Sequence, residues 1–134
     1  MSILIKNGRI ITATDDYVAD IFIEGEVVST IGKNLNLKAH TIIDASGKLV
    51  IPGGIDPHVH LQMPFMGAFS SDDYETGTLA ALHGGTTTVI DFVIQSQGKT
   101  LFDALREWKG RANGNVYSDY AFHMAVTDFN DDTK

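Results

Sequence analysis

The chain has no cysteine. Disulfide bridges and thiolate metal sites are therefore excluded. No apolar run approaches the ~20 residues that a membrane-spanning helix requires, so membrane insertion is not expected. Basic residues are few and scattered: 10 Lys and Arg stand against 17 Asp and Glu, for a net charge of −7. No nucleic-acid-binding or anionic-membrane surface is expected from that balance. The opening residues Met1-Ser2-Ile3-Leu4-Ile5-Lys6 lack the basic start and apolar core of a secretory leader, and a cytoplasmic location is the resulting expectation. Nucleotide-binding glycine patterns are also missing. Gly84-Gly85 stands outside any G-x-G-x-x-G or Walker sequence and reads as a helix stop.

What is present divides in two. The first 50 or so residues read as β structure with no helical period. Short apolar runs, Ile3 to Ile5, Arg9 to Thr12, Asp20 to Ile23, Val27 to Ile31, Thr41 to Asp44 and Leu49 to Ile51, alternate with turn residues. Asn7-Gly8 is expected to be one of those turns, and the whole to be a meander or sandwich sheet. From Gly53 the pattern changes. Ile55 to His60 is a strand. Ser71-Asp72-Asp73 starts a helix whose apolar content is Leu79, Ala80, Ala81 and Leu82, and which Gly84-Gly85 ends. Thr86 to Val93 is a β-branched strand. Thr100 caps a second helix with the stripe Leu101, Ala104, Leu105, Trp108 and Ala112, ended by Gly114. Tyr117 to Thr127 is a further strand. This β-α-β-α-β order implies parallel strands with helices outside. The expected division is residues 1–53 and 54–134. The second part reads as the start of a larger barrel, since a (β/α)8 barrel takes about 250 residues. The plainer alternative is a small open α/β domain, complete as written.

The chemistry concentrates in Pro52-Gly53-Gly54-Ile55-Asp56-Pro57-His58-Val59-His60. Side chains at i and i+2 of a strand share a face, so His58 and His60 aim two imidazoles at one region. From spacing alone this is either a metal-ligand pair or two strand histidines facing a polar cavity. A catalytic zinc needs about three protein ligands, and the others are not evident in the chain. Asp56 is either an acceptor that orients a histidine or a buried carboxylate satisfied by backbone N–H groups. Asp91 reads as a hydrogen-bonding group more than a catalyst, and His123 as a packed, hydrogen-bonded strand histidine. His40 and His83 read as structural, and Asp72 and Asp73 as helix-start charges.

The full length resembles the N-terminal portion of the dihydropyrimidinase/hydantoinase family of cyclic amidohydrolases. The matching segments are Leu4 to Ile10, Ile42 to Gly47, Val50 to His60, Met63 to Gly67, Gly84 to Phe92 and Asp119 to His123. The resemblance implies an α/β fold, the N-terminal part of a metal-dependent (β/α)8 barrel preceded by strands of a small β-sandwich. It implies that His58 and His60 bind the more buried of two Zn2+ ions. The two ions would be bridged by a carboxylated lysine beyond Lys134, where the remaining ligands and the catalytic acid/base also lie. The implied reaction is hydrolytic ring opening of a small neutral cyclic amide, a 5,6-dihydropyrimidine or a hydantoin, by a metal-bridged hydroxide. The 134 residues alone are expected to be inactive. A homotetramer is implied too. Gln62 stands where dihydroorotases carry an arginine, which disfavours an acidic ring. Phe65, and less so Met63, are candidates to line the substrate pocket in an apolar loop that runs to Met66. The rival readings are a non-catalytic dihydropyrimidinase-like structural or signalling protein, and another cyclic amidohydrolase such as an allantoinase.

Overall fold

The computed structural model describes residues 1–131 and 133. Asp132 and Lys134, in the acidic end of the chain, lie outside the described residues. The chain forms two compact units, Met1–Pro52 and Gly53–Lys134.

The first unit is a mixed sheet of β1 (Ser2–Ile11), β2 (Asp16–Glu24), β3 (Val27–Gly32), β4 (Thr41–Asp44) and β5 (Leu49–Val50). Its order is β3-β2-β1-β4, with β5 also on β1. The neighbours β2 and β3 run antiparallel, but β4 and β5 run parallel to β1, which excludes the meander of the two arrangements expected, a meander or a sandwich sheet. Asn7-Gly8 is not a hairpin turn either. β1 runs straight through it with a bulge between Ile5 and Gly8, and Asn7 takes the left-handed conformation at φ 61°.

Two contacts explain the bulge. The freed Asn7 N–H donates to Asp20 Oδ1 at 2.8 Å, and a Cβ on Gly8 would sit 2.5 Å from Val50 Cγ2, so only glycine admits β5 this closely. Asp20 is itself buried and also accepts the Leu35 N–H at 2.8 Å. The Asn7 bond, more than the Leu35 bond or nearby Lys6, holds its carboxyl below the usual range. Ile10, Ala19 and Ile21 form the core of this unit, while Ile42, Ile43, Leu49, Val27 and Val28 stay exposed.

The second unit is built on three parallel strands, β6 (Gly54–Val59), β9 (Thr86–Ile94) and β10 (Asp119–Ala125), in the order β10-β9-β6. Between β6 and β9 lie a two-stranded hairpin, β7 (Pro64–Phe65) and β8 (Ala68–Phe69), and helix α1 (Tyr74–His83). Helix α2 (Leu101–Ala112) joins β9 to β10. Strand β9 shows why the sheet has two different faces. Val89, Asp91 and Val93 are buried, and the residues between them are less so. The buried set packs with Leu61, Tyr74, Ala104, Trp108 and Ala112, the helix side of the sheet.

The helix ends follow the sequence. Asp73 accepts the Thr76 N–H at 2.8 Å in a reciprocal capping box, and Gly85 leaves α1 at φ 86°. Thr100 accepts the Asp103 N–H at 3.1 Å, and Gly114 follows α2 at φ 79°. The buried face of α1 departs from expectation: Leu79 and Leu82 are exposed, and Tyr74 and Thr78 are buried. Thr78 Oγ1 explains the choice. It donates to the Tyr74 carbonyl at 2.5 Å and accepts the Tyr117 N–H at 3.0 Å, so α1 is stitched to the segment entering β10.

At the start of β6, a Cβ on Gly53 would lie 2.2 Å from Thr87 Oγ1 and 2.4 Å from its Cγ2. Thr87 is β-branched and stiff. Gly53→Ala is expected to destabilise the protein by about 1–3 kcal/mol, read as a lower urea midpoint, and Thr87→Ala in the same chain should recover part of the loss. An unchanged midpoint in the single variant would contradict the close approach.

Candidate metal centre

Strand β6 is irregular where the histidines emerge. Asp56 pairs with Val89 and Val59 with Asp91, so three steps on β6 oppose two on β9. The extra residue makes a bulge at Pro57-His58, a device that re-aims side chains near functional sites. The His58 N–H, released from the ladder, donates to Asp56 Oδ1 at 3.1 Å. Asp56 is exposed, so the buried-carboxylate reading falls, but its partner is backbone and not an imidazole.

The result is convergence. His58 Nε2 and His60 Nε2 lie 3.2 Å apart, with the rings perpendicular at a centroid distance of 5.0 Å. Two imidazoles bound to one tetrahedral ion at about 2.05 Å would place their nitrogens roughly 3.3 Å apart. The pair therefore fits a single metal ion as it stands. Among the described residues no group of three or more His, Cys, Asp or Glu is gathered to complete such a site. Among the described residues, two imidazoles meet at one point and no third candidate ligand joins them.

Phe92 was not singled out by sequence, yet its ring is the floor of the cluster. It lies 4.5 Å from His58, 5.3 Å from His60 and 4.8 Å from His123, centroid to centroid. Strict alternation along β9 is the signal that would have found it, since Phe92 must face away from Val89 and Val93. His123 is exposed, though its ring packs on Phe92. It does make a hydrogen bond, from Nε2 to the Pro57 carbonyl at 2.9 Å.

On the helix side, Asp91 is buried beneath the same strand end. It accepts from the Tyr74 hydroxyl at 2.6 Å and from the Phe92 N–H at 2.6 Å, and from the Leu61 N–H. Burial pushes its carboxyl up, against these bonds and the neighbouring His60. Burial, then the bond to Asp91, pushes the Tyr74 hydroxyl up as well, so the proton stays on the phenol. Asp91 thus fixes the backbone after His60 and at Phe92, which is the hydrogen-bonding role read from the sequence.

The loop beyond His60 is more ordered than an apolar loop suggests. Met66 at φ 49° and Gly67 at φ 82° turn the β7–β8 hairpin. Its base is closed by Ser70, whose Oγ accepts the Met63 N–H at 2.9 Å and donates to the Asp72 carbonyl at 3.2 Å, while its own N–H goes to the Met63 carbonyl at 3.0 Å. Phe65 and Phe69 project into solvent, 64% and 65% exposed. Gln62 is held at φ 48°, its carbonyl accepting from Arg111 Nη1 at 3.1 Å. Buried Gln95, also missed, accepts the N–H groups of Thr127 and Asp128 at 3.2 and 3.0 Å and donates to the Lys99 carbonyl at 2.8 Å. It ties together the segments that leave β9 and β10. His40 Nδ1 lies 2.8 Å from Ser2 Oγ in the first unit, a structural contact as expected.

The sequence profile of the amidohydrolase family matches residues 49–127, a span that opens just before β6 and closes just after β10. The chain belongs to the amidohydrolase family. Among its relatives, a D-hydantoinase of Geobacillus stearothermophilus is 48% identical over 132 residues, covering 98% of this chain and 28% of that protein. A dihydropyrimidinase of Rattus norvegicus is 45% identical over 137 residues, covering 98% and 26%. A crystal structure of a D-hydantoinase superposes with a TM-score of 0.95 at 48% identity, covering 98% of this chain and 29% of the other. This amidohydrolase chain therefore stands with the hydantoinase and dihydropyrimidinase branch. It spans just over a quarter of the length of these relatives. In that setting the histidine pair lies at the end of a parallel strand, the edge from which barrel enzymes work.

Proposed function

We propose that this chain is the N-terminal part of a zinc-dependent cyclic amidohydrolase that opens a 5,6-dihydropyrimidine or hydantoin ring by hydrolysis. The observation that carries the reading is the 3.2 Å approach of His58 Nε2 to His60 Nε2 at the end of β6. The relatives' names supply the substrate class. Residues 1–53 would contribute strands of a β-sandwich, and 54–134 the first β/α units of a (β/α)8 barrel. A second zinc ion, a carboxylated lysine bridging the two, a homotetramer and a cytoplasmic location complete the proposal. These rest on the resemblance.

His58 and His60 would hold one ion through neutral Nε2 atoms. When bound, the metal supplies Lewis acidity and a nucleophile at neutral pH. The chain's own residues act around it. Phe92 walls the imidazoles on one side and keeps water from that face. Asp91 and Tyr74 fix the backbone on which His60 is mounted. Phe65, with Met63 behind it, would meet the exocyclic substituent of the ring. In the net reaction water adds across the ring amide: the carbonyl carbon gains the oxygen and the leaving nitrogen gains the proton.

The test is an assay of the full-length protein with dihydrouracil and with hydantoin, following the ring-opened carbamoyl product. Turnover of at least one ring is expected, with loss on chelation and recovery on adding Zn2+. A zinc-replete protein that turns over neither ring would overturn the reading in favour of another cyclic amidohydrolase or a non-catalytic relative.

A further inference from the structure

At the bulge in β6 two backbone groups are met by side chains and not by the neighbouring strand. The His58 N–H goes to Asp56 Oδ1 at 3.1 Å. The Pro57 carbonyl goes to His123 Nε2 at 2.9 Å. The second contact is unusual in its reach. His123 is on β10, and β9 lies between β10 and β6. Its ring passes beside Phe92, at 4.8 Å between centroids, to contact a strand that is not its neighbour. A carbonyl only accepts, so His123 Nε2 carries the proton.

We infer that His123 and Asp56 are positioning residues, which hold the Pro57-His58 bulge in the form that turns His58 onto the same point as His60. The inference rests on the reading of His58 and His60 as metal ligands. Without these two clamps the freed Pro57 and His58 groups would be satisfied by water or by a return to regular pairing. A one-residue change of register turns side chains to the opposite face, so His58 would lose its approach to His60. Neither clamp touches the imidazoles' Nε2 atoms. The effect must therefore appear in how firmly the ion is held, and not in the identity of its ligands.

The experiment uses the full-length protein with Zn2+ and with Co2+ as probes. It measures zinc release to a chelator, the Co2+ visible absorption band and the melting temperature. His58→Ala controls the underlying reading and should lose the Co2+ signal of this ligand pair. His123→Leu should release zinc about tenfold faster, in line with the loss of a group that orients a ligand, and should alter the Co2+ band. His123→Gln places an amide N–H near the original Nε2 and should restore both readouts. His123→Asn is too short and should behave as Leu. Asp56→Ala should change both readouts in the same direction as His123→Leu, and it carries the test if His123→Leu fails to fold. If His58→Ala loses the signal while His123→Leu and Asp56→Ala keep wild-type release and spectrum, the inference is wrong and the metal reading stands. If Leu, Asn and Gln at 123 behave alike, the donor is irrelevant and the inference is also wrong. If His58→Ala keeps both signals, the metal reading falls, and the inference with it.

Discussion

His58→Ala and His60→Ala, each in the full-length protein, will lower bound zinc by about one ion per subunit and kcat/KM by more than about a hundredfold. The magnitude follows from what lesser changes do. Removing a group that only orients a metal ligand typically costs about 10–100-fold, and loss of a direct ligand must exceed that. Both Nε2 atoms reach one point, 3.2 Å apart, so under the proposed reading they would serve one ion. Once either is gone the ion is left with too few ligands, and removing the other changes little. The double variant should therefore fall close to either single variant, far from the product of the two losses. Acid should mimic the substitutions, because only neutral imidazole binds metal. Metal analysis and steady-state kinetics on the three variants check this. Wild-type zinc and turnover in either single variant would show that the convergence is only a contact between two imidazoles sharing a proton.

The elements that could be read from the sequence are those whose signals are local. β9 is a β-branched run bounded by Gly85, and α2 carries its cap at Thr100 and its apolar stripe within one stretch. The His-x-His pair was visible for the same reason. What brings the two rings together was not visible. The bulge that brings the rings together depends on Asp91 pairing with Val59, on Phe92 beneath, and on His123 from two strands away. These residues are 31 or more positions from their partners and carry no local mark. Asn7-Gly8 misled because the left-handed conformation that makes a hairpin turn also makes a bulge. Only the parallel neighbours of β1, far along the chain, decide between them. Helix α1 misled because hydrophobic identity was read as burial. The positions that meet the sheet are Tyr74 and Thr78, four apart, whose polar tips are satisfied by Asp91 and by the Tyr117 backbone.

Substrate choice should follow from the loop after His60. The full-length enzyme is expected to hydrolyse dihydrouracil or a 5-substituted hydantoin well, and dihydroorotate at least about a hundredfold less efficiently. A carboxylate buried without a cationic partner costs about 3 kcal/mol or more, which is that factor in kcat/KM. Gln62 offers no charge. The arginine that does reach residue 62 is already committed: Arg111 bonds the Gln62 carbonyl at 3.1 Å, pairs with Glu107 at 2.5 Å and stacks on Trp108 at 4.2 Å. Freeing it would break all three contacts. The hairpin that follows presents Phe65, 64% exposed, next to a turn made by Met66 and Gly67, an apolar face for a ring substituent. Phe65→Ala should lower kcat/KM for a hydantoin with an aromatic 5-substituent by about tenfold, the scale of a lost apolar contact. Dihydrouracil, with no substituent to place there, should change by under about threefold. The measurement is kcat/KM for the three rings on wild type and variant. Efficient turnover of dihydroorotate would mean that a cation reaches the pocket from elsewhere in the protein. Equal losses on the substituted and unsubstituted rings would mean that Phe65 supports the loop and does not touch the substrate.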